Sequence, residues 1–307
     1  MVNNGNNPAT VDLSANSVML VLRLGRPGNR RKVHPSMVQV DADPGALYIG
    51  KELVESEELK AVGALDDAVR RWVYSRSLPA YGTLREGVYR LPLALIDEVD
   101  QGLEKFRQER GELISAFAGR YPSLVESARD RLRALYNAGD YPPVAEVTAR
   151  FTFSYRYLSF MLPETLSAQL LARERAKAAA EVTSEVEEIK MALRTGFAEL
   201  VAHAADRLAV KTDGKKQVFR DSMVANLSEF FQFFGARNLV NDTELAELVE
   251  RARATMKGVT AEVLRTDDVT RASVKETLDQ VKAEMDRSLM LRPARRFTLE
   301  PAATDGS

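Results

Sequence analysis

Two histidines, His34 and His203, and no cysteine stand among the 307 residues. That inventory bounds the chemistry before any fold is considered. A metal held by thiolates or by several imidazoles has no ligands to use, and neither a disulfide nor a cysteine nucleophile exists. His34 lies in a basic stretch and His203 within an amphipathic helical segment, so both read as parts of their surroundings rather than as general bases. Carboxylates come in pairs at Asp41/Asp43, Asp66/Asp67 and Asp97/Asp100. The first pair precedes Pro44-Gly45, a setting in which aspartates usually organise a turn. Holding Mg²⁺ there would require further oxygen ligands. The other two pairs fall on predicted helices and read as solvated faces. No Walker sequence, GxGxxG or GxSxG occurs. The expectation is a protein that is not an enzyme, with no catalytic residue, no metal site and no cofactor.

Charge placement is more suggestive than any of these. Arg23, Arg26, Arg30, Arg31 and Lys32 stand in one stretch without an acid among them, and Arg292, Arg295 and Arg296 follow near the end. The formal net charge is -1, so only such local patches could hold a polyanion. Arg26, Arg30, Arg31, Lys32, Arg295 and Arg296 are the candidate nucleic-acid contacts, and each patch would neutralise a few phosphates in a salt-sensitive way. The plainer reading is a solubilising loop and an ordinary tail. Aromatics offer two further candidates. Phe151, Phe153, Tyr155 and Tyr157 alternate with Thr152, Ser154 and Arg156, which is strand periodicity. They suit either a base-stacking platform or, more economically, a sheet face buried under helices. Phe230, Phe231, Phe233 and Phe234 crowd into VANLSEFFQFFGARNLVND and form the candidate interface for an oligomer or partner.

The elements that must position these residues follow from periodicity. SVMLVLRL, Ser17 to Leu24, reads as a strand, with a returning strand at Met37 to Val40 and a short extended piece in ALYIGKELV. A helix opens near Ser56 with Leu59, Val62, Val69, Trp72 and Val73 on one face. After VYRLP, a helix carries Ile96, Val99, Leu103, Phe106, Leu113 and Phe117, with Arg110 in one seam position. Tyr121-Pro122 should stop it, and Ser123 with Glu126 should cap a shorter helix that pairs with it. The aromatic strand should then return beside SVMLVLRL. Beyond Pro163 a long helix keeps Val182, Val186, Ile189, Leu193, Phe197 and Leu200 as its seam, turns at VKTDGKK and comes back through Phe219, Met223, Leu227, Phe230 and Phe234. Phe230 and Phe234 continue that seam and Phe233 widens it. Phe231 is left facing either a third helix of the same chain or another subunit. Asn241 with Glu244 predicts a capped helix bearing Leu245, Leu248, Val249, Ala252 and Met256, and a last helix bears Val274, Leu278, Val281, Met285 and Leu289.

The fold class expected is mainly α (α+β): a small N-terminal antiparallel sheet with a helical pair, then a long antiparallel helical hairpin forming a coiled-coil bundle. The segments expected are a tail over 1–16, an α+β domain over 17–162, the hairpin and bundle over 163–291, and a tail over 292–307. No apolar run is long enough to span a bilayer, and the polar start lacks the basic and apolar regions of a signal peptide. With no cysteine present, this points to the cytoplasm and away from membranes.

The N-terminal strand with its charged loop, the RFTFSYRY block and FRDSMVANLSEFFQFFGARNLVNDTELAELVE, with its Arg220, Asn226, Asn238 and Asp242 framework, give the chain a resemblance. It resembles an uncharacterised, mostly helical family of bacteriophages and integrative or conjugative elements, over most of its length. Members tend to be encoded near AAA+ ATPases resembling a cobalt-chelatase subunit, which implies a partner and transfers no catalytic residue. The reading that results is a non-enzymatic cytoplasmic assembly or scaffold protein of a phage or mobile element, self-associating or docking an AAA+ ATPase through its hairpin. The alternative is a DNA-associated accessory protein of recombination or replication.

Overall fold

The computed structural model describes residues 13–38, 42–43, 46, 48–78, 87–158, 168–209, 217 and 219–290. The architecture is mainly α with a small antiparallel sheet near the N-terminus. The chain divides into two units, Met1–Val182 and Thr183–Ser307, so the division falls inside a helix and later than the 162/163 boundary that Pro163 suggests.

In the first unit, a single helical turn α1 (Leu13–Asn16) leads into β1 (Ser17–Gly25), with the Ser17 hydroxyl donating to the Leu13 carbonyl. β1 is the central strand. β4 (Val88–Pro92) and β5 (Thr152–Leu158) flank it, both antiparallel. The aromatic strand thus lies beside SVMLVLRL, as its alternation predicts. The register sets Phe153, Tyr155 and Tyr157 against Leu24, Leu22 and Leu20, all on one face. That face is covered by α2 (Glu57–Arg76) and α3 (Ile96–Leu132), which close a core of Leu20, Leu22, Leu65, Val69, Val73, Leu91, Val99 and Leu103. Ser56 caps α2 by accepting from the Leu59 N–H at 3.2 Å. α2 and α3 run antiparallel, since Arg76 meets Glu98, Trp72 meets Phe106 and Glu58 meets Arg120. Gly102 allows the close approach, because a Cβ there would run into the Trp72 ring.

Two expectations are corrected here. β2 (Arg30–Lys32) pairs with β3 (Gly50–Glu52), so the basic stretch is itself the strand. Pro35–Met37 is a 3₁₀ turn, and residues 39–40 lie outside the described ones. The side chain of Asn29 makes the pairing there by bonding both the N–H and the carbonyl of Val54, at 2.9 and 2.7 Å. The second correction is that α3 passes straight through Pro122, and Ser123 caps nothing; its hydroxyl donates back to the Arg120 carbonyl. Pro122 forfeits one backbone bond. Its ring faces solvent, while Phe117, Tyr121, Leu124 and Ala128 keep one continuous buried stripe on the other side. With Val54 and with Val147 of α4 (Val144–Ala149), that stripe forms a second apolar cluster, and its burial outweighs one missing hydrogen bond.

The second unit contains the C-terminal part of α5 (Ala168–Leu208), then α6 (Asp221–Arg237), α7 (Thr243–Met256), α8 (Ala261–Thr266) and α9 (Asp268–Met290). α5 and α6 are antiparallel neighbours: Gln217, ahead of α6, bonds the Asp206 carbonyl, and Phe230 stacks on Phe197 at 5.2 Å. The turn segment 210–216 lies outside the described residues, as does the Val182 side chain. The buried line of α5 is Ile189, Leu193, Phe197 and Val201, so it leaves the expected seam at Leu200. A bundle core is wider than a coiled-coil seam, and a four-residue step after Phe197 keeps the line facing it. Arginines close the helix ends. Arg271 donates to the carbonyls of Leu208, Leu264 and Arg207, which the last turns of α5 and α8 leave without helical partners.

Candidate functional site

The basic stretch is sorted by strand alternation. Arg31 and Lys51 share the inner face of the β2–β3 pair and reach Asp140 at 3.9 and 2.6 Å, with Lys51 also donating to the Leu135 carbonyl. Arg30 and Lys32 point the other way and are exposed. Arg26 turns inward at 3.3 Å from Asp66. Asp66 is 0% exposed, which corrects its reading as a solvated helix face. Arg110, the charged residue in the apolar seam of α3, grips it at 2.7 Å and also bonds the Gly25 carbonyl at 2.7 Å. A buried guanidinium needs a counter-ion, and Asp66 is the one in reach. Of the four loop cations expected to meet a polyanion, Arg30 and Lys32 are therefore presented, while Arg26 and Arg31 serve the fold. Arg295 and Arg296 lie outside the described residues.

The face of the three-stranded sheet turned away from α2 and α3 carries further cations, although Met19 on the same face is buried. Arg23 on β1, Arg156 on β5 and Arg90 on β4 share it, with Arg156 opposite Val21 and Arg23 opposite Ser154. Arg23, Arg156, Thr152 and Ser154 are exposed, and none of the described strand residues on this face is acidic. Alternation had already placed Arg156 on the polar side of its strand. Only the register brings it next to Arg23.

Beneath the β2–β3 pair lies a small cleft of about 30 Å³. Val54, Leu59, Phe117 and Val147 supply its apolar lining, and Arg31, Asp140 and Arg150 supply its charge. The hydroxyls of Tyr121 and Tyr141, which also line it, are spent on the carbonyls of Pro142 and Leu53, both at 3.1 Å. Burial pushes both phenols above their usual range, with Arg150 drawing Tyr121 part of the way back.

The aromatic strand does not offer a stacking platform. Phe153, Tyr155 and Tyr157 are half-buried against α3, where Tyr155 donates to Glu104 at 2.6 Å and Tyr157 to Asp100 at 3.1 Å. Burial first, and then these carboxylate acceptors, raise both phenols far above their ordinary value. Asp100 is thereby a partner within the fold and not a solvated face.

All four clustered phenylalanines are buried within the second unit, with Phe230, Phe231, Phe233 and Phe234 at 8, 6, 3 and 5% exposure. Phe231, the unplaced ring, lies 6.0 Å from the Arg253 guanidinium of α7, which also donates to the Phe231 carbonyl. Its neighbour is a helix of the same chain, so none of the four rings remains on the surface as an interface. Arg194 makes a bidentate pair with buried Asp242 at 2.6 and 2.7 Å and adds Glu244 at 2.7 Å. Asp242, not Asn241, caps α7 by accepting from the Leu245 N–H. Asn241 adopts φ 51°, and the recruitment of Glu244 by Arg194 leaves no capping box there. Asn238 supports the cap by accepting from the Asp242 N–H at 2.9 Å, so the Asn238 and Asp242 framework is structural. Burial opposes ionisation of Asp242, but the Arg194 bonds prevail and hold its carboxyl below the usual range.

His34 and His203 are both exposed. Asp41 lies outside the described residues, and the Asp43 carbonyl accepts from the Ala46 N–H in a turn. Among the described residues no group of three potential ligands could hold a metal ion, and no helix is long and apolar enough to cross a membrane. Comparison with protein-family models, with curated proteins and with solved structures returns no match.

Proposed function

We propose that this chain is a non-enzymatic, nucleic-acid-associated accessory protein whose first unit holds phosphates with Arg23, Arg30, Lys32 and Arg156. The carrying observation is that these four cations are exposed on regular β structure, while the neighbouring Arg26 and Arg31 are engaged in ion pairs with Asp66 and Asp140. Residues two apart on a strand point the same way about 7 Å apart, which gives Arg30 and Lys32 a fixed spacing toward a repeating anionic backbone. Glu52 stands opposite Arg30 with its carboxylate held by the Asn29 amide at 3.1 Å, so its charge offsets part of that of Arg30. Self-association or ATPase docking through the phenylalanines loses the observation that motivated it, since those rings close the unit's own core.

The test is fluorescence anisotropy of labelled DNA across 50–200 mM salt. Each phosphate contact adds about 0.9 to the slope of log K against log salt. Replacing Arg30 and Lys32 together by Ala should lower that slope by about 2 without changing the thermal midpoint. No binding at the lowest salt, or an unchanged slope, refutes the proposal.

A further inference from the structure

The cleft under the β2–β3 pair has a composition that phosphate binding does not use. Its lining is apolar, through Val54, Leu59, Phe117 and Val147, and both tyrosine hydroxyls beside it already have acceptors. Water placed there finds few partners, because an ordered buried water needs two to four of them. About 30 Å³ leaves room for roughly one methyl group, the tip of a short alkyl chain whose remainder lies at the mouth, and not for a ring. The lip is cationic. Asp140 is matched by Lys51 at 2.6 Å, which leaves Arg31 bound to it only at 3.9 Å and Arg150 exposed.

We propose that this cleft binds a small aliphatic carboxylate, with the alkyl end in the cavity and the carboxylate on Arg31 and Arg150. Guanidinium groups suit carboxylates because their donors match the two oxygens. The Asp140 carboxylate beside them disfavours a more highly charged phosphate. The same chemistry is offered by a free branched acid and by the C-terminal valine of a polypeptide.

The probe is isobutyrate, titrated into the full chain and followed by methyl NMR of Val54 and Val147. Saturable shifts at those methyls are expected. Isobutyramide should bind about tenfold more weakly or worse, because it forfeits charge-assisted bonds. Arg150→Gln should weaken isobutyrate by a similar factor. Val147→Ile places one methylene in the cavity and should abolish binding while Trp72 fluorescence and the thermal midpoint hold; Val54→Ile is the second occluding variant should the first misfold. A short peptide ending in Val, compared with its C-terminal amide, separates the sources: tighter acid peptide binding than isobutyrate identifies a polypeptide end, and weaker binding identifies a free acid. Absence of saturable shifts, equal binding of acid and amide, equal binding of inorganic phosphate, or survival of binding in a folded occluding variant overturns the proposal.

Discussion

Replacing Arg110 by Met removes the cation at the centre of the first unit while keeping an unbranched apolar stem. Arg110 is 1% and Asp66 0% exposed, joined at 2.7 and 3.4 Å, and Arg110 also satisfies the Gly25 carbonyl. The substitution strands a buried carboxylate with Arg26 alone and leaves that carbonyl without its arginine. Breaking a buried pair in this way costs about 3–5 kcal/mol. Arg26 is 41% exposed and free to close on Asp66 from its 3.3 Å, so the loss should sit near about 3 kcal/mol, the lower end of that range. This is a large share of the roughly 5–15 kcal/mol that holds a domain folded. Trp72 is the only tryptophan and packs edge-on against Phe106 on the same helix pair, so its fluorescence in urea reports this unit. With a slope of about 2 kcal/mol per molar, the midpoint should fall by about 1.5 M. Adding Asp66→Leu removes the stranded charge and should restore at least half of the loss, because apolar replacement of a buried pair is often near neutral. A midpoint lowered by less than about 0.3 M in Arg110→Met, or a double variant as unstable as the summed singles, would refute this account of the pair.

In the second unit, Phe231→Glu should abolish cooperative melting and Phe231→Ala should cost about 3–5 kcal/mol, read by far-UV circular dichroism. Unchanged melting would mean that the ring lies on a surface after all. The carboxyl of Glu58 is lowered to about 2, chiefly by the Ser56 hydroxyl at 2.7 Å, then by a backbone bond and by Arg120. Its folded value lies below the ordinary one of 4.5, so its contribution is present above pH 4.5 and disappears as pH falls toward 2. Glu58→Gln should therefore flatten the acid limb of the Trp72-monitored midpoint between those values, and an identical limb in the variant would count against it. Asp242 is shifted in the same direction, so the second unit should also lose stability below about pH 4, and Asp242→Asn should blunt that loss. Gly102→Ala should cost about 1–3 kcal/mol by forcing Trp72 from the α2–α3 contact, less up to about 1 kcal/mol regained in helix propensity. A shift in Trp72 emission that accompanies the destabilisation is the check.

Residue inventory and periodicity carried the reading a long way. The absence of cysteine and the scarcity of histidine limit metal chemistry in any fold. Alternation in RFTFSYRYL gave both a strand and its buried face, and three- and four-residue steps gave the inner faces of α7 and α9, because a face that must leave water repeats with the period of its own backbone. What lies opposite that face is not written in the period. Asp66 and Asp67 are equally polar neighbours, and only the arrival of Arg110 from 44 residues away makes Asp66 a buried ion while Asp67 stays in water. Pro122 is a local stop signal that a stripe buried on both sides of it overrides. Arg30 and Arg31 are adjacent cations, and the pairing with β3 decides which one meets Asp140 and which one meets solvent. Phe231 looked surplus because a narrow seam has two sides only in a two-helix hairpin; with α7 packed alongside, a third direction is also interior. Local sequence selects the element and its apolar side, but burial, ion pairing and exposure are properties of contacts between distant segments, and these exist only once the chain has closed.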